Sequence, residues 1–421
     1  MCHVRLAARA LLLIVAVPGA AFSQSVPDTL RLDDALALAR AANPALRAAW
    51  LEADAAAARV PPAGALPDPA LQLSLDNRPV NGFGTMDPMT MNTIQLTQTL
   101  PWPGKLSFGQ ARARGLAEAG RLDADEVEVG LIASVKSAYY QLAYMDRALA
   151  VMIRTRDLLR GFLQVVTAMY RVGTGLQQDV LQGQVAVAQM TEDITMVTQD
   201  RLAMAARLNA LLGRDATVPV GPVVLRVVDD TLPSVDSLMA LAAARRPALA
   251  AARQRVAAAQ AGYRAARRGL YPDVLVGISY GQRPRYDNMV SLMVGVSLPV
   301  WAASRQLAER RETQAMEAAE EARQRDLCNE TYARLAELRA QAERARNLSQ
   351  LYASSILPQA RASVDAALAA YRVGQVNFLT LVDNQMTVNR YAIESLRLLA
   401  EYQDARVRIE ALMGAGTGDA R

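Results

Sequence analysis

Polar and apolar positions along this 421-residue chain follow two periods, and the switches between them mark out its elements. Arg31 to Ala42 is amphipathic, with Leu32, Leu36 and Leu38 recurring at helical spacing. Asn43-Pro44 interrupts it, because a proline pushes the residue before it out of the helical region. Helix resumes from Pro44 to about Arg59, and Pro61-Pro62-Ala63-Gly64 is expected to stop it. The period then drops to two. Leu71, Leu73 and Leu75 alternate with Gln72, Ser74 and Asp76, and Ile94 and Leu96 alternate with Thr93, Gln95, Thr97 and Thr99. Both runs predict strands, at about 70–77 and 92–100. From Lys105 to Arg171 no proline occurs, and Val127, Leu131, Val135, Ala138, Leu142 and Met145 recur three or four apart. An unbroken helix of that length would reach about 100 Å. Tyr170-Arg171-Val172-Gly173-Thr174-Gly175 ends it in a glycine turn, and a second helix returns from about 176 to 212.

The same grammar then repeats. Asn43-Pro44-Ala45-Leu46 returns as Arg246-Pro247-Ala248-Leu249. Strands are expected at about 273–281, with Val274, Val276, Ile278 and Tyr280 on one face, and at about 289–298, with Val290, Leu292, Val294 and Val296 on one face. Leu298-Pro299-Val300-Trp301 echoes Leu100-Pro101-Trp102. A long helix at about 302–372, kinked at Pro358, ends in Tyr371-Arg372-Val373-Gly374, and a last helix covers about 377–412. The chain therefore divides into a first structural repeat (24–216), a linker (217–233), a second repeat (234–413) and a disordered tail (414–421).

The N-terminus changes what the strands mean. Residues 1–23 read as a signal peptide: Arg5 and Arg9, an apolar core from Ala10 to Val17, a break at Pro18-Gly19 and small residues before Gln24. Its loss would take the net charge from +5 to +3 by removing two arginines, and would remove Cys2 and the single histidine, His3. Cys328 would then be the sole cysteine, which excludes an internal disulfide, and a chain without histidine excludes a His-based triad. Acidic and basic residues alternate along the helices, so nothing points to nucleic acid. For an exported chain, strands of about nine residues with one apolar face match transmembrane β-strands. Trp102 and Trp301 stand at strand ends as membrane-interface anchors. Four strands cannot close a barrel, and an open edge is intolerable in lipid, so several chains must share one. The helices are too polar to enter the bilayer and must project into the periplasm.

With these features in place, the chain resembles the TolC family of outer membrane efflux proteins. The likeness covers nearly the whole mature chain. Its most specific parts are Tyr170 to Gln184, Ala369 to Gln385, Leu100-Pro101-Trp102-Pro103-Gly104-Lys105 and Ile356-Leu357-Pro358-Gln359-Ala360. The last two resemble the heavy-metal branch (copper/silver or cobalt/zinc/cadmium efflux). The resemblance implies a mainly α fold with transmembrane β, in which a homotrimer builds a 12-stranded β-barrel on a 12-helix periplasmic α-barrel. It implies a passive conduit in the outer membrane, with lipid around it, served by a periplasmic adaptor (membrane fusion) protein and an inner-membrane RND-type pump. No cofactor is implied, and no enzyme. The adaptor-docking tip carries over to Arg171, Val172, Gly173 and Thr174 and to Arg372, Val373 and Gly374. The pore constriction carries over to Asp383, Asp179 and Tyr371, with Asp179 and Tyr371 expected to hydrogen-bond between helices. Of two acids that the family places three apart, this chain keeps Asp383 and has Thr380 at the other position. The arginine of that network falls near Val376 and is absent, and Arg372 is the nearest substitute.

Other chemistry is thin. Met86, Met89 and Met91 share one loop, and thioethers suit Cu(I), although flexible apolar loop residues are the plainer reading. Glu317, Glu320 and Glu321 read as a solvated helix face and Cys328 as packing. The leading expectation is a channel subunit exporting heavy-metal cations. Its alternatives are a multidrug or type I protein-secretion channel and, in another class, a non-conducting periplasmic adaptor or structural coiled-coil protein.

Overall fold

The computed structural model describes residues 30–78, 80, 84, 87–223 and 232–415. The expected signal peptide, Met86, residues 224–231 of the linker and 416–421 of the tail lie outside the described residues. The chain opens with α1 (Leu32–Ala42) and α2 (Pro44–Ala58), broken by Asn43, whose side-chain oxygen accepts from the backbone N–H groups of Ala45 and Leu46. The prolines after α2 do not stop the helix outright. They sit in the first turn of a short helix α3 (Val60–Gly64), where proline forfeits no hydrogen bond.

Strands β1 (Ala70–Asp76) and β2 (Met91–Leu100) lead into α4 (Lys105–Arg171) and α5 (Gln177–Leu211). Then come α6 (Val235–Arg245), α7 (Pro247–Arg268), β3 (Val274–Gln282) and β4 (Met289–Val296). The last arm is α8 (Gln306–Leu351), a π turn at Tyr352–Ile356, α9 (Leu357–Arg372) and α10 (Phe378–Leu412). This arm starts at Gln306 rather than 302, because Trp301–Arg305 fold into turns in which Ala302 donates to Pro299 and Ser304 to Trp301. Nor does it simply kink at Pro358. Leu357 donates five residues back to Tyr352, a widened turn that absorbs the amide missing at the proline. From Gln306 to Arg372 the arm has the same 67-residue span as α4, and α10 the same 35 residues as α5.

The returning helices close on Gly213 (φ +67°) and Gly414 (φ +72°). Each lies against the proline break of its own repeat. A Cβ on Gly213 would stand 2.4 Å from the Ala42 carbonyl oxygen, and one on Gly414 2.6 Å from that of Arg245. Only glycine permits that approach at positive φ. Asn43 fastens the first break by donating to the Leu211 carbonyl (2.9 Å). In the second, Glu126 of α4 accepts from Arg246 and from the Ala248 N–H, so a carboxylate takes the capping role.

The four strands form one antiparallel sheet in the order β1-β2-β3-β4. Its register lines Leu71, Leu73 and Leu75 beside Ile94 and Leu96, these beside Ile278 and Tyr280, and these beside Val290 and Leu292. All are exposed, Leu73 at 71% and Leu292 at 77%. The other face carries Gln72, Ser74, Thr93, Gln95, Thr97, Gly277, Ser279 and Ser291. A bare apolar face backed by a small, polar one suits lipid on one side and water on the other. No described helix is long and apolar enough to cross a membrane.

Buried side chains gather at two levels of the helices. Leu131, Val135, Leu142, Leu208 and Leu212 pack with Ala35, Ala39 and Leu46, where α1 and α2 wrap the middle of α4. Leu159, Val166, Met190, Phe378, Leu381 and Val382 pack near the far end.

Candidate functional site

The far end is built from two glycine turns. In the first, Gly173 takes φ +78° and donates to Tyr170 (3.0 Å), while Thr174 and Gly175 donate back to Met169 (3.0 and 3.1 Å). In the second, Gly374 takes φ +71° and donates to Tyr371 (3.0 Å), and Gln375 donates to Ala370 (2.9 Å). These bonds satisfy the last helical carbonyls. No atom lies within 4 Å of a Cβ built on Gly173 or Gly374, so backbone conformation alone calls for glycine there. The helices that follow start differently. Asn377 caps α10, accepting from the Thr380 N–H (2.9 Å) and hydroxyl (2.7 Å), whereas Leu176 offers α5 no side-chain cap. The residue at the vacant acidic position, Thr380, is thus used locally to start a helix.

The turns present an uncovered surface. Val172 is 74% exposed, Val373 70% and Leu176 65%. Arg171, Thr174 and Arg372 are exposed as well, and neither arginine forms an ion pair with a described residue. Arg372 therefore does not stand in for the missing network arginine within one chain.

Behind the turns, Tyr371 and Phe378 meet with ring centroids 5.8 Å apart. The Tyr371 hydroxyl does not bond Asp179 as expected; its partner is the Met169 sulfur at 3.9 Å. The two residues are nevertheless neighbours. Burial pushes the Tyr371 phenol pKa up, and the charge of Asp179 pushes it further. Burial also raises the pKa of the Asp179 carboxyl, which has no compensating cation beside it. Asp383 is exposed on α10, one turn beyond Leu379, and looks into a groove between α5 and α10. Leu181, Gln182 and Val185 face it across about 610 Å³.

The groove continues away from the tip for about 640 Å³, past Met152, Asp193, Met196, Met386, Asn389 and Glu394. Burial raises the Asp193 pKa, and the neighbouring charge of Glu192 adds to it. Asn389 is 5% exposed and its Oδ1 has no hydrogen-bond partner. Sequence reading passed over Asp193 and Asn389. Each is a polar residue inside a helical run, and only the packing of α5 against α10 brings them together.

The remaining expected positions lie at the sheet. Trp102 stacks on Tyr271 (centroids 5.2 Å, planes 10° apart), and its backbone N–H donates to Asp273 (2.8 Å). Trp301 is 76% exposed. Met89 lies out in the β1–β2 loop, 62% exposed. Met91 begins β2 with its sulfur against Gly281.

The geometry is matched by known proteins. A family model described as Outer membrane efflux protein matches residues 35–214 and 238–415, one block for each repeat. The pyoverdine export outer membrane protein OpmQ of Pseudomonas putida is 26% identical, over 95% of this chain and 90% of that one. Among solved structures, the outer-membrane channel OprN superposes with a TM-score of 0.80 at 19% identity, covering 91% of this chain and 90% of that one. CusC, described as forming a transmembrane channel, superposes with a TM-score of 0.80 at 17% identity, covering 91% and 92%.

Proposed function

The chain belongs to the outer membrane efflux protein family, and from that premise we propose that three copies of it form a passive conduit from the periplasm to the exterior. Its outer-membrane placement, its channel fold and its lack of enzymatic activity come with the family. The trimer is supported by the sheet. It ends at β1 and β4 with one face apolar, and three copies of four strands make a closed 12-stranded barrel in which no edge meets lipid. The four helices of each chain's far end then make a 12-helix tunnel, with six glycine turns around its mouth.

The uncovered tip carries the functional reading. Val172, Leu176 and Val373 leave an apolar surface open beside the unpaired Arg171 and Arg372. Such a surface, apolar with a basic edge, suits docking against another protein. The partner is a periplasmic adaptor, which joins the tunnel to an inner-membrane pump of RND type and so to a source of energy. Asp179 and Tyr371 lie side by side at the mouth without a direct hydrogen bond. Three Asp383 carboxylates at the mouth concentrate negative potential, so the conduit favours cations. Heavy-metal cations are the substrate that this charge supports. A second reading, export of an organic molecule such as pyoverdine, is favoured by the relative named for pyoverdine export.

The test is conductance in a planar bilayer. Wild-type protein is expected to open a cation-preferring pore that multivalent cations block from the tip side, and Asp383→Asn to weaken that block. Conductance without any change in block removes Asp383 from the constriction. A protein that stays monomeric and conducts no ions sinks the conduit reading itself. Loss of metal tolerance on deleting the gene separates the cation reading from the organic-molecule one.

A further inference from the structure

We infer that the outer surface of α7, where it meets the sheet, binds the headgroup of an anionic phospholipid in the periplasm-facing leaflet. The inference rests on the outer-membrane placement of the sheet. Arg264, Arg267, Arg268 and Arg310 line a recess of about 380 Å³ together with Phe108 and Tyr271. No carboxylate lines it. None of the four arginines forms an ion pair with a described residue, while Arg121, Arg201, Arg246, Arg255 and Arg397 of the same scaffold all do. The recess is thus a pocket of uncompensated positive charge.

Its walls are ordered. The Arg264 guanidinium lies 5.7 Å from the Phe108 ring centroid, and that of Arg268 lies 5.9 Å from Tyr271. Arg268 also packs along Gly104, where a Cβ would meet its Nε at 3.2 Å. Tyr271 in turn stacks on Trp102. Two of the guanidinium groups are therefore positioned on aromatic faces, which lowers the entropy lost when they close on a ligand.

The side of the molecule is fixed by the opposite face of α7. Gly262, Ala265, Ala266 and Gly269 border a different recess, shared with Asp273 and Ser297, which continue the polar face of β3 and β4. Arg264, Arg267 and Arg268 sit about half a helical turn away from that small-residue stripe. They therefore lie on the other side of α7 from the recess that continues the polar face, with Tyr271 at the border of both. A ligand there meets an apolar sheet above and arginines below. A phospholipid has that order of parts, with acyl chains along the strands and a phosphodiester at the arginines, and arginine forks suit its paired oxygens. Free phosphate would use only the lower half of the site.

The experiment titrates the purified protein in neutral detergent with dioleoyl phosphatidylglycerol, dioleoyl phosphatidylcholine or inorganic phosphate. Native mass spectrometry counts retained lipid, and thermal unfolding reports stabilisation. Phosphatidylglycerol should be retained in preference to phosphatidylcholine and should alone raise the unfolding midpoint. Arg267 is exposed and takes part in neither aromatic contact, so Arg267→Gln should leave the fold intact and weaken retention about fivefold. Arg264→Gln combined with Arg267→Gln should weaken it about 25-fold. Equal retention of the two lipids, a midpoint shift reproduced by phosphate alone, or an Arg267→Gln protein that holds phosphatidylglycerol like wild type each overturns the site. Conductance is read in the same preparation. Its loss counts against the conduit and leaves the lipid measurement standing.

Discussion

Phe378→Ala should loosen the far end of the helices while leaving their middle intact. Phe378 is 1% exposed. It packs among Val166, Ala186, Leu381 and Val382, against Tyr371 on one side and beside Gly183 on the other. Truncating a buried phenylalanine to alanine costs about 3–5 kcal/mol, of which about 0.5–1.5 belongs to the ring pair with Tyr371. The middle of the helices has its own core around Val135, Leu142 and Leu208, which shares no buried residue with the tip cluster. The loss should therefore stay local. Hydrogen exchange in the assembled protein reads this directly. At 1.4 kcal/mol per tenfold, protection of amides in 159–190 and 364–390 should fall roughly a hundredfold to a few thousandfold, with 128–145 unchanged. Phe378→Leu, which keeps most of the volume, should cost under about 1.5 kcal/mol. A change of less than tenfold at the tip, or an equal loss in the middle, refutes the picture of two independent cores.

Three further outcomes follow from the same geometry. Gly213→Ala combines positive φ with a 2.4 Å approach to the Ala42 carbonyl and should cost about 2–5 kcal/mol. Gly173→Ala has open space around it and should cost only about 1–2 kcal/mol, so equal shifts in unfolding midpoint would contradict the close approach. Burial raises the Asp179 pKa, so the fold favours its protonated form. The stability that this contributes is fully present below the ordinary Asp range and is lost as pH rises through the raised pKa. Exchange protection at the tip should accordingly be greater in mild acid than at neutral pH, and Asp179→Asn should remove that dependence without lowering protection at neutral pH; a tip that tightens as pH rises has the opposite sign. Asn377→Ala should fray the start of α10 by about 1 kcal/mol, read as faster exchange at Phe378 to Thr380, while Leu176→Ala leaves the start of α5 unchanged.

Much of the architecture was legible because its signals are local and periodic. Alternation in β1 to β4 names an apolar face without reference to anything distant, and the spacing of Leu131, Val135 and Leu142 along α4 names a buried stripe. What stayed hidden depends on contacts between segments far apart in the chain. The order β1-β2-β3-β4 sets β2 beside β3 across the whole of α4 to α7. The capping of α7 by Glu126 comes from 122 residues away. The π turn before Pro358 is not legible in sequence, because proline marks a missing amide and does not say how the helix will absorb it.

The candidate site divides along the same line. The glycine turns are visible in sequence because positive φ leaves glycine as a local signature. The relation of Asp179 to Tyr371 is not, since it depends on how α5 and α9 meet around Phe378. That meeting gives the two turns unequal parts. The first adds Thr174, whose hydroxyl bonds Met169 (3.1 Å), so both its side chain and its backbone are committed to closing α4. The second carries Gln375 in that place and anchors its outgoing helix through Asn377 instead. The first turn is thus fixed to the helix that enters it and the second to the helix that leaves it. A displacement of the tip is then resisted at the end of α4 and at the start of α10. The start of α5, with no side-chain cap and a partly buried carboxyl at Asp179, has neither anchor.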